Sequence, residues 1–514
     1  MAKVNRLTTS STCRLLSSLV LVQRFASGTL RFQLLRYDCY HTLAMRFVHA
    51  MLRKPALVRD QGHARTAPRP TSTGLHMHAP PELTRIVERV WTMSAARLTD
   101  IAKTPEFREL DHVCGGLYGK GKCTYALGNA LRSLGLPCTL PADSQFLAIA
   151  PTAAAEALHE AFVRTTVNRR YLCPLDQADD LPHITFGANR VGEFTSDELA
   201  VLMDDQRLRR HFPTYQLPVK EYAQFRWLVV EEEVAVTASP LGRALPFLTV
   251  DFSTDFGEID PHLGRFPKVV EAALFFLLLA PWEDWVQSQE VNWRAFHLPW
   301  IHTVDDDLFV WPKVPQSPST LSREPDVVYD RHGKEIDLGE KPKVLPLNDE
   351  FETQLLQFRE AAWVAVETAR ATPLFETPVV HFLVRAFLAD GMDEIMAHMT
   401  AIEAGLGLIS DHKKVQRPKP DPHKNVTPTN RVAARLAALL QDPGCVATYQ
   451  ELFELRSAFV HGRGGLSLIS TSQRVSARNL ARRAAQSLVN EGARFSGTRE
   501  GKLEQLLDAG VRFL

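Results

Sequence analysis

The sequence predicts an α+β domain followed by an all-α helical bundle. Three observations carry this expectation. Stretches rich in β-branched and aromatic residues occur before residue 350. From residue 351 to residue 514 the apolar residues recur at helical spacing. A polar, punctuated segment, "GEKPKVLPLNDE" (339–350), separates the two patterns.

A chain of 514 residues is long enough for two or three domains with cores of their own. The 45% hydrophobic and 23% charged content is ordinary for a globular protein. Seven cysteines, an odd number without a CxxC pair, argue against a disulfide framework or a zinc ribbon and for a reducing, cytoplasmic setting. The longest apolar run, "AALFFLLLA" (272–280), is about half of what spans a bilayer and reads as a buried helix. No membrane partner is expected. The net charge of zero hides a gradient. Residues 1–81 carry 12 Lys/Arg against two acids, residues 82–378 carry 29 against 44, and residues 379–514 carry 18 against 13. A polyanion would favour the C-terminal part.

Taken in order, residues 1–81 are basic, rich in Ser and Thr, and form an extension apart from the rest. They fit a transit peptide, a secretory signal around "LLSSLVLV" (15–22), or a non-structural extension upstream of a start at Met77 or Met93. Residues 82–350 read as one α+β domain of sensing or regulatory type. "PELTRIVERVWTMSAARL" (81–98) has helical spacing, "FRWLVVEEEVAVTA" (225–238) and "LPFLTVDFS" (245–253) are strand-like, and "VVYDRHGKEIDL" (327–338) is a hairpin around His332-Gly333. Five of the eight tryptophans lie between residues 282 and 311, a density that suits a packed irregular core. The region 351–514 divides into helices at 350–371, 378–389, 392–409, 430–440, 444–461, 475–490 and 499–512. Asp442-Pro443 is placed as an N-cap and first-turn pair for the fifth.

That fifth helix, ending in "ELFELRSAFVHGRGG" (451–465), carries an anomaly. A helix turns about 100° per residue. With Phe453 set to zero, Val446, Tyr449, Leu452, Phe459 and Val460 spread from about +20° to about −120°, one apolar stripe. Arg456 falls at about −60°, mid-stripe, and His461 at about +80°, at the helix end. A charge aimed inward is costly unless it is paired or has work to do.

Here the sequence resembles the HEPN superfamily, in particular its ApeA-like domains. The likeness rests on the Arg-x4-His pattern of Arg456 and His461 and on three flanking helices. These are "DEIMAHMTAIEAGLGL" (393–408), which places Glu403, "NRVAARLAALL" (430–440) and "SARNLARRAAQSLV" (476–489). It covers about 380–490 of the HEPN-like bundle. Residues 171–311 look like a region found ahead of such domains, through "LCPLDQADDLPHITFGANRVGEFTSDEL" and "WEDWVQSQEVNWRAFHLPW"; that second likeness supplies no activity. Where family members often carry Asn, His or Asp after the arginine, this chain has Ser457, which can still donate to a phosphate.

The resemblance implies a metal-independent endoribonuclease of toxin or antiphage-defence type. It also implies a homodimer, in which two motif helices face each other across a two-fold axis. Transesterification by the RNA 2′-hydroxyl needs a base, an acid for the 5′-oxygen, and positive charge for the phosphorane oxygens. Histidine can move protons near neutral pH, and arginine grips phosphate with parallel donors. His461 is therefore the candidate acid/base and Arg456 the clamp, with Ser457, Gly462 and Glu403 in support. Arg463, Arg478 and Arg482, with Lys413 and Lys414 in the basic loop "HKKVQRPKPDPHKN" (412–425), are candidate RNA contacts. No cofactor or metal is called for. The competing expectation is a dimeric HEPN scaffold that binds RNA or protein without cutting, Arg456 then being a structural arginine paired with Glu403 or another acid on the facing helix.

Other motifs are weaker. "GLYGKGKCT" matches G-x4-G-K, but Cys123 replaces the Mg²⁺-binding hydroxyl and "FRELDHVC" before it is no buried strand, so no nucleotide cofactor is expected. Cys114 and Cys123 lack a second metal-ligand pair. The H-x-T at His183 has a counterpart only at His398, inside a helix. Asp305, Asp306 and Asp307 read as a solvated acidic turn.

Overall fold

Four helices open the described chain: α1 (Pro81–Trp91), α2 (Pro105–Tyr118), α3 (Thr124–Ser133) and α4 (Pro151–Val163). Leu83, Ile86, Val87 and Val90 recur three and four apart along α1, and all four are buried against α2 and α4. Pro81 and Pro105 occupy first helical positions, where their missing N–H costs nothing. The structure is a computed structural model. It describes residues 78–94, 101–119, 123–249, 255, 257–258, 264–417, 419–462 and 468–514. The expectations for residues 1–77, for most of "LTVDFS" and for Arg463 lie outside these.

Next comes a five-stranded antiparallel sheet in the order β2-β3-β4-β1-β5. Its strands are β1 (Thr166–Leu175), β2 (Ile184–Phe186), β3 (Asn189–Glu193), β4 (Arg226–Ala235) and β5 (His302–Asp305). Helices α5 (Ser196–Leu202), α6 (Asp205–His211) and α7 (Val219–Tyr222) intervene before β4. Then come α8 (Pro240–Ala244), α9 (Lys268–Leu278) and α10 (Trp282–Trp285) before β5. Period-two alternation sorts the two faces. Leu172, Trp227 and Val229 pack with α5–α7, while Tyr171, Cys173, Leu228 and Val230 join the core around α9. The apolar run at 272–280 is buried, mostly within α9. Strands β6 (Arg323–Tyr329) and β7 (Glu335–Pro342) form the hairpin expected at His332-Gly333, with Gly333 at φ +75°.

Among the described residues nine α-helices follow: α11 (Phe351–Leu355), α12 (Glu360–Arg370), α13 (Val379–Leu388), α14 (Met392–Leu406), α15 (Ile409–His412), α16 (Pro428–Leu440), α17 (Cys445–Val460), α18 (Thr471–Gly492) and α19 (Arg499–Gly510). The coarse expectation of an α+β part followed by a helical part holds. Several details differ. Pro246–Thr249, read as the start of a strand, is a 3-10 turn. The central strand β1 escaped sequence reading because Arg169 and Arg170 interrupt its apolar pattern. Helix α17 starts at Cys445, and Asp442 accepts from the N–H of Gly444 at 3.0 Å instead of capping at the expected register. The segment read as a linker is tied down: Leu345 and Leu347 are buried, and Leu347 bridges to Val286. One apolar core runs from the sheet through α9 into α13, α14, α16, α17 and α18.

Candidate functional site

Helix α17 is buried most deeply along its first half. Cys445, Val446, Tyr449 and Leu452 are buried against α14, α16 and α18. After Leu452 the face opens: Phe453, Leu455 and Arg456 are half-buried, and Phe459 and Val460 are 46% and 53% exposed. The apolar stripe read from the sequence therefore continues beyond the bundle wall, and residues three and four beyond Arg456 on its own face are uncovered.

Arg456 Nη1 donates to Glu403 Oε1 on α14 at 3.0 Å. The two side chains are 28% and 26% exposed, so the pair sits at the rim, not in the core. Burial raises the Glu403 carboxyl above the usual carboxylate range, while Arg456 and His412 pull it back. Arg456 Nε is buried without a partner. The hydroxyl of Tyr449, earlier on the same helix, is likewise buried and unpartnered. It lies within electrostatic range of Glu403 and Arg456, and burial pushes its pKa up. Sequence reading placed Tyr449 in the stripe as mere packing; nothing in its spacing signalled a hydroxyl beside the ion pair.

The helix stops as the sequence suggested. The N–H of His461 donates to Ser457 O at 3.0 Å, and that of Gly462 to Phe459 O at 3.2 Å. Gly462 has φ +60°, a left-handed conformation that glycine adopts without penalty, with open space where a Cβ would sit. His461 is exposed at this end, and Ser457 is half-buried. Arg456 and Glu403 are thus brought together, while His461 stands five residues on, at the helix terminus.

The remaining candidates divide. Lys413 is exposed just after α15, and the Lys414 backbone begins a short 3-10 turn. Arg478 and Arg482, expected to contact RNA, are instead held by the acid Glu283. Arg478 is fully buried, with Nε 3.1 Å from Glu283 Oε2 and Nη2 donating to the carbonyls of Leu278 and Ala280. Burial pulls its guanidinium down to about 10. Arg482 Nε donates to Glu283 Oε1 at 2.6 Å, and Nη2 reaches Asp284. One turn apart on α18, they converge on an acid nearly two hundred residues upstream and form no surface phosphate track.

The same logic disposes of the acidic turn. Asp305 pairs with Arg169 at 2.7 Å, Asp306 with Arg164 at 3.0 Å and Asp307 with the buried Arg243 at 2.6 Å. Cys123 donates to Asp111 from both its N–H and its thiol, and burial pushes the thiol up to about 12, away from thiolate chemistry. Among the described residues, no group of three or more His, Cys, Asp or Glu is placed to hold a metal ion, and no helix is long and apolar enough to cross a membrane. No family model, curated protein or solved structure matches the chain.

Proposed function

We propose that the chain is a metal-independent endoribonuclease of HEPN type, cytoplasmic and active as a homodimer through α17. The observation that carries this reading is a guanidinium set in an apolar helix face, steadied by Glu403 at 3.0 Å, five residues before an exposed histidine at the helix end. Glu403 engages one Nη of Arg456, and the half-exposed guanidinium retains donors for a phosphate. His461 serves as acid/base. The 2′-oxygen attacks phosphorus as its proton passes to a base, the P–O5′ bond breaks as the leaving oxygen gains a proton, and a 2′,3′-cyclic phosphate remains. The uncovered Phe459 and Val460 beside Arg456 supply an apolar surface that a second copy would cover, bringing two motifs to one groove.

The ion pair itself favours a second reading. If its work is to hold α14 against α17, the dimer binds RNA or protein without cutting.

Purified chain incubated with labelled single-stranded and structured RNA in EDTA separates the two. The nuclease reading expects cleavage, with Arg456→Ala and His461→Ala each at least about a hundredfold slower, in the range of losing an acid/base or a charge-stabilising group. RNA retained but uncut by all three proteins would establish the scaffold reading. Equal cutting by all three would remove both residues from the chemistry.

A further inference from the structure

The geometry points to a binding site for a compact aromatic monocarboxylate at the edge of the sheet, between α6, β5 and residues 310–313. A cavity of about 230 Å³ opens there, with walls that include Met203, Leu208, His302, Val304, Trp311 and Lys313. That volume holds on the order of ten non-hydrogen atoms, a single ring with one small substituent.

Its polar groups sort by whether their bonds are already made. Arg169 is committed to Asp305 through Nε and Nη2, at 3.1 and 2.7 Å. Arg207 spends four of its five N–H groups on Ser133 Oγ and the carbonyls of Asp305, Asp307 and Val310. Asp204 caps α6 through the Arg207 N–H and faces the guanidinium groups of Arg207 and Arg210. Two groups remain. Lys313 is exposed and has no acid partner among the described residues. His302 is 5% exposed, lines the cavity, and has no hydrogen bond to its ring among the described residues. Burial, with Lys313 nearby, holds its pKa down to about 4, so at neutral pH the ring offers one donor and one acceptor. The ring nitrogens of His302 are not among the fully buried unpartnered atoms of the described residues; they open to the cavity, where a ligand atom would bond them.

The charges fix the sign. Arg169 cancels Asp305 and Arg207 offsets Asp204, which leaves Lys313 and calls for one negative charge. The walls fix the body. Trp311 is held edge-on to His211 at 4.7 Å and under the guanidinium of Arg132 at 4.7 Å, so it forms a preset aromatic wall beside Leu208 and Val304. The neighbouring Ser133–His211 contact, 2.9 Å, does not turn the site into a hydrolase. Burial and three arginines push His211 down to about 2, and its Nδ1 has no acid to orient it. The site binds and does not turn over.

Titration calorimetry on the full chain tests this, with benzoate and phenylacetate as probes and benzamide as the uncharged control. The expected result is saturable binding of a carboxylate, at least about tenfold weaker for benzamide and for Lys313→Gln, the loss of one charge-assisted contact. Lys313 is exposed, so that variant keeps its fold, and circular dichroism checks it. His302→Asn, which removes the ring, is expected to weaken binding by a similar factor. No binding of either carboxylate into the low-millimolar range, equal binding of benzamide, or undiminished binding by Lys313→Gln would each overturn the assignment. RNA enters none of these measurements, so their failure and that of the nuclease reading are separate.

Discussion

Arg456 and Glu403 form a rim pair, each about a quarter exposed, and such pairs contribute little to stability because solvent screens them. Their value lies in holding a guanidinium still. Glu403→Gln is therefore expected to change stability by no more than about 1 kcal/mol at neutral pH, while slowing RNA cleavage at least about tenfold. The pH dependence follows from burial, which raises the Glu403 carboxyl. A carboxyl whose folded pKa lies above its unfolded value binds its proton more tightly in the fold. Its stabilising contribution is complete below the unfolded pKa and is lost as pH rises through the folded one. Thermal melts of wild type minus Glu403→Gln should give a difference that declines as pH rises from the ordinary carboxylate range; a difference that grows would place the shift in the opposite direction. The pairing of Arg456 with Glu403 was legible in the sequence, because an arginine mid-stripe must find an acid and "AIEAG" offers one on a neighbouring helix. The orphaned Tyr449 hydroxyl was not, since a tyrosine in a stripe looks like any other core aromatic.

Helix α17 has two halves in different surroundings. In its first half Cys445, Val446, Tyr449 and Leu452 are buried within the bundle, and in its second half Phe459 and Val460 are uncovered. The helical period locates the stripe but cannot show where its cover ends, because that depends on how far α14 and α18 reach. If a second copy covers the second half, Val460→Asp should convert the protein to a monomer in light scattering and abolish cleavage. Its melting temperature at high dilution should be unchanged, because Val460 touches no bundle core. A monomeric wild type with undiminished cleavage would rule out a shared groove. Sequence reading erred on α18 for a related reason. Arg478 and Arg482, one turn apart beside other polar residues, look like a solvated basic face. Only the fold brings Glu283 beneath them, and charge spacing along one helix carries no information about a partner nearly two hundred residues away.

At the scale of the whole molecule, the acidic middle and the basic C-terminal part spend part of their opposite charges on each other. Glu283 takes Arg478 and Arg482, while Arg294 of the middle crosses the other way to the buried Glu394 of α14, which also holds Arg474 of its own part. Trp293 donates to the same Glu394 at 2.6 Å, which ties the tryptophan-dense segment to the helical part. This is why the polar punctuation at 339–350 misled: composition resembled a linker, while Leu345 and Leu347 are buried within continuous packing. Breaking a buried pair on one side strands the other charge. Arg478→Met should cost roughly 3 kcal/mol, the low end for such a loss because Arg482 still holds Glu283. Urea denaturation should show it as a lower midpoint in a single transition spanning both parts. Two separated transitions in the wild type would mean that the two parts unfold independently.

The most direct test is the fate of one bond. An oligoribonucleotide with a mapped cleavage site is compared, in EDTA, with a twin carrying a single 2′-deoxy sugar on the 5′ side of that bond. Cleavage by 2′-hydroxyl attack, aided by Arg456 and His461, should cut the all-ribo strand to a 2′,3′-cyclic phosphate and a 5′-hydroxyl and leave the deoxy bond intact. Equal cutting of the deoxy bond, with a 5′-phosphate on the product, would contradict it.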